Sequence, residues 1–266
     1  METLIALLEF YNTYDHEDIF FEVAKYLLFH IDELKEQTLE KLAASIPVSI
    51  STLNRFIKAM AFKDFSSVRQ LSSTISNTYE YEGKYFPNYF TKKEDSFKTY
   101  GQMLSQKITE ITEAIKREEV EALVSAMLEA DEIIFVGTPI PYGVWRLQVD
   151  LVLLKKPTSA FLDPNYQLEK VRNLSPNSVV IGLSSIRPSD NYLQQCFDIA
   201  KERGAKTAFI ANVIGGEVIG KVDYPFVFKG THTEIDTHLI HVILSLIGIV
   251  LNERVEENWK SSIMFN

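Results

Sequence analysis

Short polar and basic side chains are concentrated on one face of a segment that is predicted to form two helices. The segment is Thr38–Met60, and its apolar spacing predicts short helices over 38–45 and 49–60. The candidate DNA contacts lie at the start and on the outer face of the second helix: Ser49, Ser51, Thr52, Asn54, Arg55 and Lys58. Side chains of these types bind base edges and phosphates, so the pattern favours a helix-turn-helix that reads DNA. An ordinary helical hairpin with a solvated outer face would give the same pattern.

Two of these side chains have the shape for base-specific contacts. Arg55 can form a bidentate pair with guanine or with a phosphate, and Asn54 can pair with adenine. The surrounding residues 38–77 carry five basic and two acidic side chains, whereas the whole chain has a formal net charge of −9. A short basic island in an acidic chain is typical of a surface that faces phosphates.

Two loops further along the chain offer hydroxyl groups, backbone N–H groups and one cation. Gly137–Gly143 (GTPIPYG) follows the apolar run EIIFV, and Ser184–Asp190 (SSIRPSD) follows SVVIGL. Each loop leads into a helix N-terminus, where free N–H groups favour an anion such as a phosphate. The candidate ligand contacts are Thr138, Ser184, Ser185, Arg187 and Ser189. The carboxylate of Asp190 in the same turn opposes phosphate binding.

The elements that position these loops are predicted by a change in the sequence near residue 96. Five short apolar runs, EIIFV, TSAFL, SVVIGL, KTAFI and YPFVF, are joined by helix-length amphipathic segments. Such runs indicate a parallel sheet with helices on both faces, and a long helix from Ile235 to about Glu257 closes the domain. The predicted organisation is an all-α domain over 1–77, a linker over 78–96 and an α/β domain over 97–266.

Four motifs together form a family pattern. LEKLA, VSISTLNRF and AFKDFSSVR lie within residues 1–77, and DIAKERGAKTAFIAN lies within residues 97–258. In these motifs the chain resembles the RpiR/MurR family of bacterial transcriptional regulators, in which a sugar isomerase (SIS) domain follows a helix-turn-helix domain. The resemblance implies an all-α N-terminal helix-turn-helix domain followed by a three-layer α/β SIS domain with a five-stranded parallel sheet.

The same resemblance implies a function and a set of partners. It implies a DNA-binding transcriptional regulator of sugar or amino-sugar metabolism that responds to a small phosphosugar-like effector through its SIS domain. The expected partners are double-stranded operator DNA, a phosphosugar or related anionic metabolite, and a second copy of the chain. A homodimer is expected, with a tetramer as the alternative, because one recognition helix covers too few base pairs for useful specificity. Enzyme activity, a cofactor and a metal are not expected.

Several positions depart from the family pattern. Pro47 stands in the helix-turn-helix turn where Gly is usual, and is expected to reshape the turn without removing the helix pair. In the ligand loops, Pro139 and Pro141 replace Gly and Ser, and Ile186 and Arg187 replace a Ser-Gly pair. Three explanations stay open: the ligand is different, Arg187 supplies the charge for a phosphate, or the domain mainly dimerises.

Two enzyme classes compete with the regulator. An NAD-binding oxidoreductase would use Asp163, 26 residues after Gly137, but Pro139 occupies the middle Gly of the required G-x-G-x-x-G. A phosphosugar isomerase would need a positioned acid or base. The densest group of titratable side chains with several histidines in this half of the chain is His232, Glu234, Asp236, His238 and His241. We expect the helical histidines to pack at a subunit interface, so the regulator is preferred.

The sequence has no segment typical of secretion or of membrane insertion. Its longest apolar run, around Leu239–Leu251, has 13 residues and includes a histidine, whereas a span needs about 20 apolar residues. The N-terminal METLIALLEFYN has no basic leader. The single cysteine, Cys196, excludes an internal disulfide and a Cys-rich zinc site. A cytoplasmic protein is expected.

Overall fold

The structure, a computed structural model, describes the chain in several stretches. They are residues 7–8, 10–12, 18–31, 33–60, 64–66, 68–69, 85, 95–137, 140–162, 164–184, 190–212, 222–231 and 233–264, with side chains except at 190–191 and 257–264. The chain divides into two compact units, 1–81 together with 162–166, and 82–161 together with 167–266. The predicted linker over 78–96 lies outside the described residues except for Tyr85, Asp95 and Ser96.

The N-terminal unit is helical, as its sequence predicts. Its helices include α1 (Ile19–Phe29), α2 (Leu39–Ser45) and α3 (Ile50–Ala59), with a short 3-10 helix at Glu33–Glu36. Buried apolar side chains from all three helices form one core, among them Leu27, Leu42, Leu53 and Phe56. The two short helices predicted around the turn are therefore confirmed as α2 and α3.

The second unit contains a five-stranded sheet in which every neighbouring pair is parallel, as predicted. Its strands are β1 (Glu132–Val136), β2 (Thr158–Ser159), β3 (Ser178–Ser184), β4 (Lys206–Asn212) and β5 (Tyr224–Phe228), in the spatial order β2-β1-β3-β4-β5. The central strands are almost continuously buried because helices cover both of their faces. All five apolar runs supply strands, although only two residues of TSAFL are paired.

Helices on both faces of the sheet give a three-layer α/β architecture. They are α4 (Ser96–Ala114), α5 (Arg117–Glu129), α6 (Tyr142–Leu153), α7 (Pro164–Arg172), α8 (Asp190–Glu202) and α9 (Ile235–Met264). On one face, Val171 of α7 and Cys196 and Phe197 of α8 pack against the sheet. On the other face, α9 packs against α5 and α6, and α4 packs against α9.

The last helix is longer than the predicted segment from Ile235 to about Glu257. α9 has 30 residues and continues past Glu257 to Met264. Within it, Ile235–Glu256 has a mean hydropathy of 1.7 and is half buried in the fold, so one helix of the described part meets the length and composition of a bilayer span. Its Ile243, Ile247 and Leu251 are fully buried, as the side chains of a core helix are.

Candidate functional site

The N-terminal unit brings α2 and α3 together as a helix-turn-helix pair. Ala43 of α2 is only 6% exposed, and the N–H of Val48 donates to its carbonyl oxygen at 3.1 Å, which closes the turn. From α3, Leu53 and Phe56 are buried, and the Phe56 ring lies edge-on to Phe20 of α1 at a centroid distance of 5.4 Å. The buried side of α3 is therefore fixed in the core of the unit.

The opposite side of α3 is polar and open to solvent. It carries four exposed candidate DNA contacts: Ser51, Asn54, Arg55 and Lys58. Since Leu53, Phe56 and Ile57 occupy the buried side, the helix has one face packed in the core and one face open to solvent. Lys58 also lies in the last turn of α3, where a cation is favoured by the helix dipole.

The two remaining candidate DNA contacts, Ser49 and Thr52, interact with each other at the start of α3. The Ser49 hydroxyl oxygen accepts from the Thr52 N–H at 3.0 Å, and the two hydroxyl groups are 2.8 Å apart. Ser49 is therefore the N-cap of α3, as its position in the sequence predicts. The contacts between Ser49 and Thr52 lie in the first turn of α3, at the start of its polar face.

The turn before α3 contains Pro47, which lies between the end of α2 and the N-cap of α3. The helix pair is present on both sides of this proline, in agreement with the expectation that Pro47 does not remove it.

In the second unit, the carboxyl ends of the parallel strands meet at one edge of the sheet. The strand order places the topological switch point between β1 and β3, where open α/β sheets bind their ligands. Gly137 follows β1 directly, Ser184 ends β3, and the pairing of Val136 with Gly182 makes these two ends neighbours. Ser184 is 7% exposed. The other candidate ligand contacts, Thr138, Ser185, Arg187 and Ser189, lie outside the described residues.

The first ligand loop begins at a glycine that leaves no room for a side chain. A Cβ atom on Gly137 would lie 2.5 Å from the carbonyl oxygen of Leu183, and its φ is +152°. The side-chain amide of Gln167 bonds this residue twice, because it accepts from the Gly137 N–H at 2.8 Å and donates to the Gly137 carbonyl at 2.9 Å. Sequence reasoning missed Gln167, since a glutamine on a short amphipathic helix gives no signal of its own.

A second polar cluster lies at the ends of β4 and β5. The amide nitrogen of Asn212 donates to Asp236 at 2.6 Å, and the backbone N–H of Thr231 donates to the other carboxyl oxygen at 2.7 Å. The N–H of Gly230 donates to Asn212 at 3.0 Å, and a Cβ atom on Gly230 would collide with both side chains. Asp236 is fully buried, so its carboxyl group holds the loop between β5 and α9 to the end of β4.

The titratable cluster considered for an isomerase is divided by the structure. Asp236 belongs to the cluster just described, and His232 and the NAD candidate Asp163 lie outside the described residues. His238 is exposed, whereas His241 is half-buried and its Nε2 has no hydrogen-bond partner among the described residues. Burial lowers the pKa of His241, and the nearby His238 lowers it further, so both effects favour the neutral imidazole.

The chain is similar to several solved structures. No protein-family model and no curated protein matches the chain. Among solved structures, the chain is similar to the Vibrio vulnificus NanR protein complexed with ManNAc-6P, at 18% identity over 98% of this chain and 95% of that chain, with a TM-score of 0.52. It is also similar to the sugar isomerase domain of an RpiR transcription factor from Sphaerobacter thermophilus, at 18% identity over 58% of this chain and 95% of that chain, with a TM-score of 0.43. A third similar structure is the phosphoheptose isomerase GmhA from Neisseria gonorrhoeae, at 14% identity over 58% of this chain and 96% of that chain, with a TM-score of 0.48.

The likeness to NanR shows that the two chains share their fold over nearly their whole length. The predicted fold class is therefore confirmed as an all-α N-terminal part followed by an SIS-like three-layer α/β domain with a five-stranded parallel sheet.

Replacing Ser49 by alanine should destabilise the N-terminal unit by about 1 kcal/mol, because the N–H of Thr52 loses its capping acceptor. The matched control is Ser51→Ala, which removes an exposed hydroxyl from the same helix and should be neutral or slightly stabilising. Urea unfolding followed by circular dichroism compares the two variants. Equal midpoints would show that the cap does not stabilise α3.

Proposed function

We propose that the chain is a DNA-binding transcriptional regulator of sugar or amino-sugar metabolism whose SIS domain responds to a small phosphosugar-like effector. The observation that carries the proposal is the two-sided character of α3, with Arg55 and Lys58 exposed on one side and Phe56 buried on the other. The carboxyl edge of the sheet, where Ser184 ends β3, is the proposed effector site. NanR, which shares the fold, is complexed with ManNAc-6P.

The dimensions of α3 suit the major groove of DNA. The helix has 10 residues, and at a rise of about 1.5 Å per residue it is long enough to contact three or four base pairs. Arg55 and Lys58 are one turn apart and both exposed, so one can reach a base edge while the other binds a phosphate. One such helix reads one half-site, and a second copy of the chain supplies the other.

The second copy is proposed to dock on α6. This helix carries a row of exposed apolar side chains: Tyr142 72%, Trp145 45%, Val149 53%, Val152 60% and Leu153 76% exposed. Their spacing places them on a single face of about 100° of the helix. A contiguous apolar row of this kind is typical of an interaction surface. A two-fold axis would pack the row against the same row of the partner.

The enzyme alternative is a phosphosugar isomerase built on the same fold. Its acid or base would come from Asp236, His238 or His241, but both carboxyl oxygens of Asp236 are already bonded to Asn212 and Thr231. Cys196 is a poor nucleophile at neutral pH, because burial raises its thiol pKa to about 11. These points support a regulator without catalytic activity, and an isomerase assay on sugar phosphates separates the two.

Substitutions on α3 test the DNA interface. Arg55→Ala should weaken binding to a DNA site selected by the wild-type protein by about 1–3 kcal/mol and relax its specificity. Lys58→Ala should weaken binding to all sequences alike and flatten the dependence of affinity on salt, because a phosphate contact releases counterions. Fluorescence anisotropy at several salt concentrations measures both effects.

The matched control for these variants is Lys25→Ala, which removes an exposed cation from α1 of the same unit. It should bind like the wild type. If Arg55→Ala and Lys58→Ala also bind like the wild type at every salt concentration, α3 is not the recognition helix.

A thermal-shift screen tests the effector. N-acetylmannosamine 6-phosphate, glucosamine 6-phosphate and other phosphosugars are compared with the same sugars lacking phosphate. At a concentration of about 100 Kd, a bound ligand stabilises the folded state by about 2.7 kcal/mol and raises Tm by several degrees. The variant Ser184→Ala combined with Arg187→Ala should lose most of this rise. If no phosphosugar shifts the wild type, the alternative that the SIS domain only dimerises is preferred.

A charged substitution on α6 tests the homodimer. Val149→Glu should convert a dimer into a folded monomer, because the side chain is exposed in the single chain and the carboxylate would be buried at the proposed interface. Val227→Glu makes the same chemical change at an exposed valine of β5 and should stay dimeric. Light scattering at micromolar concentration gives the masses. Equal masses for Val149→Glu and the wild type would exclude this surface.

A further inference from the structure

Gln167 of α7 is an uncharged polar side chain that the protein buries completely, at 0% exposure. A buried amide needs hydrogen-bond partners, because leaving its donors and acceptor unpaired is costly. Its oxygen accepts from the N–H of Gly137 at 2.8 Å and from the hydroxyl of Tyr192 at 2.6 Å. Its nitrogen donates to the carbonyl oxygens of Gly137 at 2.9 Å and Phe161 at 2.5 Å. Four bonds thus converge on one side chain.

The position of this amide is explained by the shortness of β2. β1 pairs with β2 only at Ile133 and Ile134, and the N–H of Ile133 donates to the carbonyl of Pro157 on that side. Backbone groups of alternate residues point the same way along a strand, so the N–H of Gly137 also points to this side, beyond the end of β2. Gln167 exchanges two hydrogen bonds with Gly137, as a residue of a neighbouring strand does in an antiparallel hydrogen-bonded pair.

We infer that Gln167 is a positioning residue of the ligand-binding edge, which fixes the exit of β1 and joins it to α8. The link to α8 is Tyr192, in the first turn of the helix that follows the second ligand loop. The base of the first loop and the helix after the second loop are thereby held by one amide. A ligand that binds at the carboxyl ends of β1 and β3 then meets a sheet edge whose backbone is held in place before it binds. The effect on affinity rests on the proposed function, whereas the fixing of Gly137 does not.

The test measures hydrogen exchange at the Gly137 amide and ligand affinity in the full-length protein. Gln167→Met keeps the approximate size of the side chain and removes its hydrogen bonds. We expect it to speed hydrogen exchange at the Gly137 amide by roughly tenfold or more. We expect the same variant to weaken the binding of N-acetylmannosamine 6-phosphate, or of whichever phosphosugar the screen identifies, by a similar factor in calorimetry. Tyr192→Phe, which removes only the bond to α8, should give a smaller loss of affinity and covers the case in which Gln167→Met does not fold.

A control separates positioning from a general loss of stability. Val120→Ala removes buried apolar volume from α5 and should lower Tm without changing exchange at Gly137 or the ligand affinity. If Gln167→Met folds and exchange at Gly137 is unchanged, the inference is wrong. It is also wrong if the wild type binds a phosphosugar and each of the two variants that folds, Gln167→Met or Tyr192→Phe, binds it equally well. If the wild type binds no phosphosugar, the proposed effector fails, and exchange at Gly137 alone decides whether Gln167 fixes the loop.

Discussion

All five strands of the sheet run in the same direction, and most of the second unit follows from this constraint. Parallel neighbours cannot be joined by a tight hairpin, so each connection must cross a face of the sheet. The crossing helices bury the central strands on both sides, which is why β3 is buried at all seven of its residues. Parallel direction also brings every strand's carboxyl end to one edge. The chain can therefore gather Gly137, Ser184 and Asn212 at that edge although they are far apart in sequence.

That edge combines close packing with buried polar groups. Gly137 and Gly230 have no room for a Cβ atom, because Leu183 lies against the first, and Asn212 and Asp236 lie against the second. A polar group buried in so tight a space costs about 1–3 kcal/mol if it is left without a partner. Gln167 and Asp236 avoid this cost because each of them makes several hydrogen bonds. The loops that leave the edge thus start from backbone positions that are held by side chains as well as by the sheet.

In the N-terminal unit, one helix, α3, has a buried face and an exposed face. Leu53 and Phe56 hold α3 in the core, and the residues between them face solvent. For the proposed DNA partner, the local charge of this unit matters more than the net charge of −9 of the whole chain, because salt screens charges that are more than about 8–10 Å apart. An acidic chain can therefore present a basic surface where a phosphate backbone would lie.

The sequence by itself determined the periodic features of this protein. Alternation between short apolar runs and amphipathic segments predicted five parallel strands and helices on both faces, and local chemistry predicted Ser49 as an N-cap. These features depend on residues close together in the chain. The shortness of β2 and the roles of Gln167 and Asp236 were decided only by the tertiary structure. Whether a buried amide or carboxyl group holds a loop depends on which distant backbone groups are left unpaired beside it, and that is known only once the strands and helices are packed.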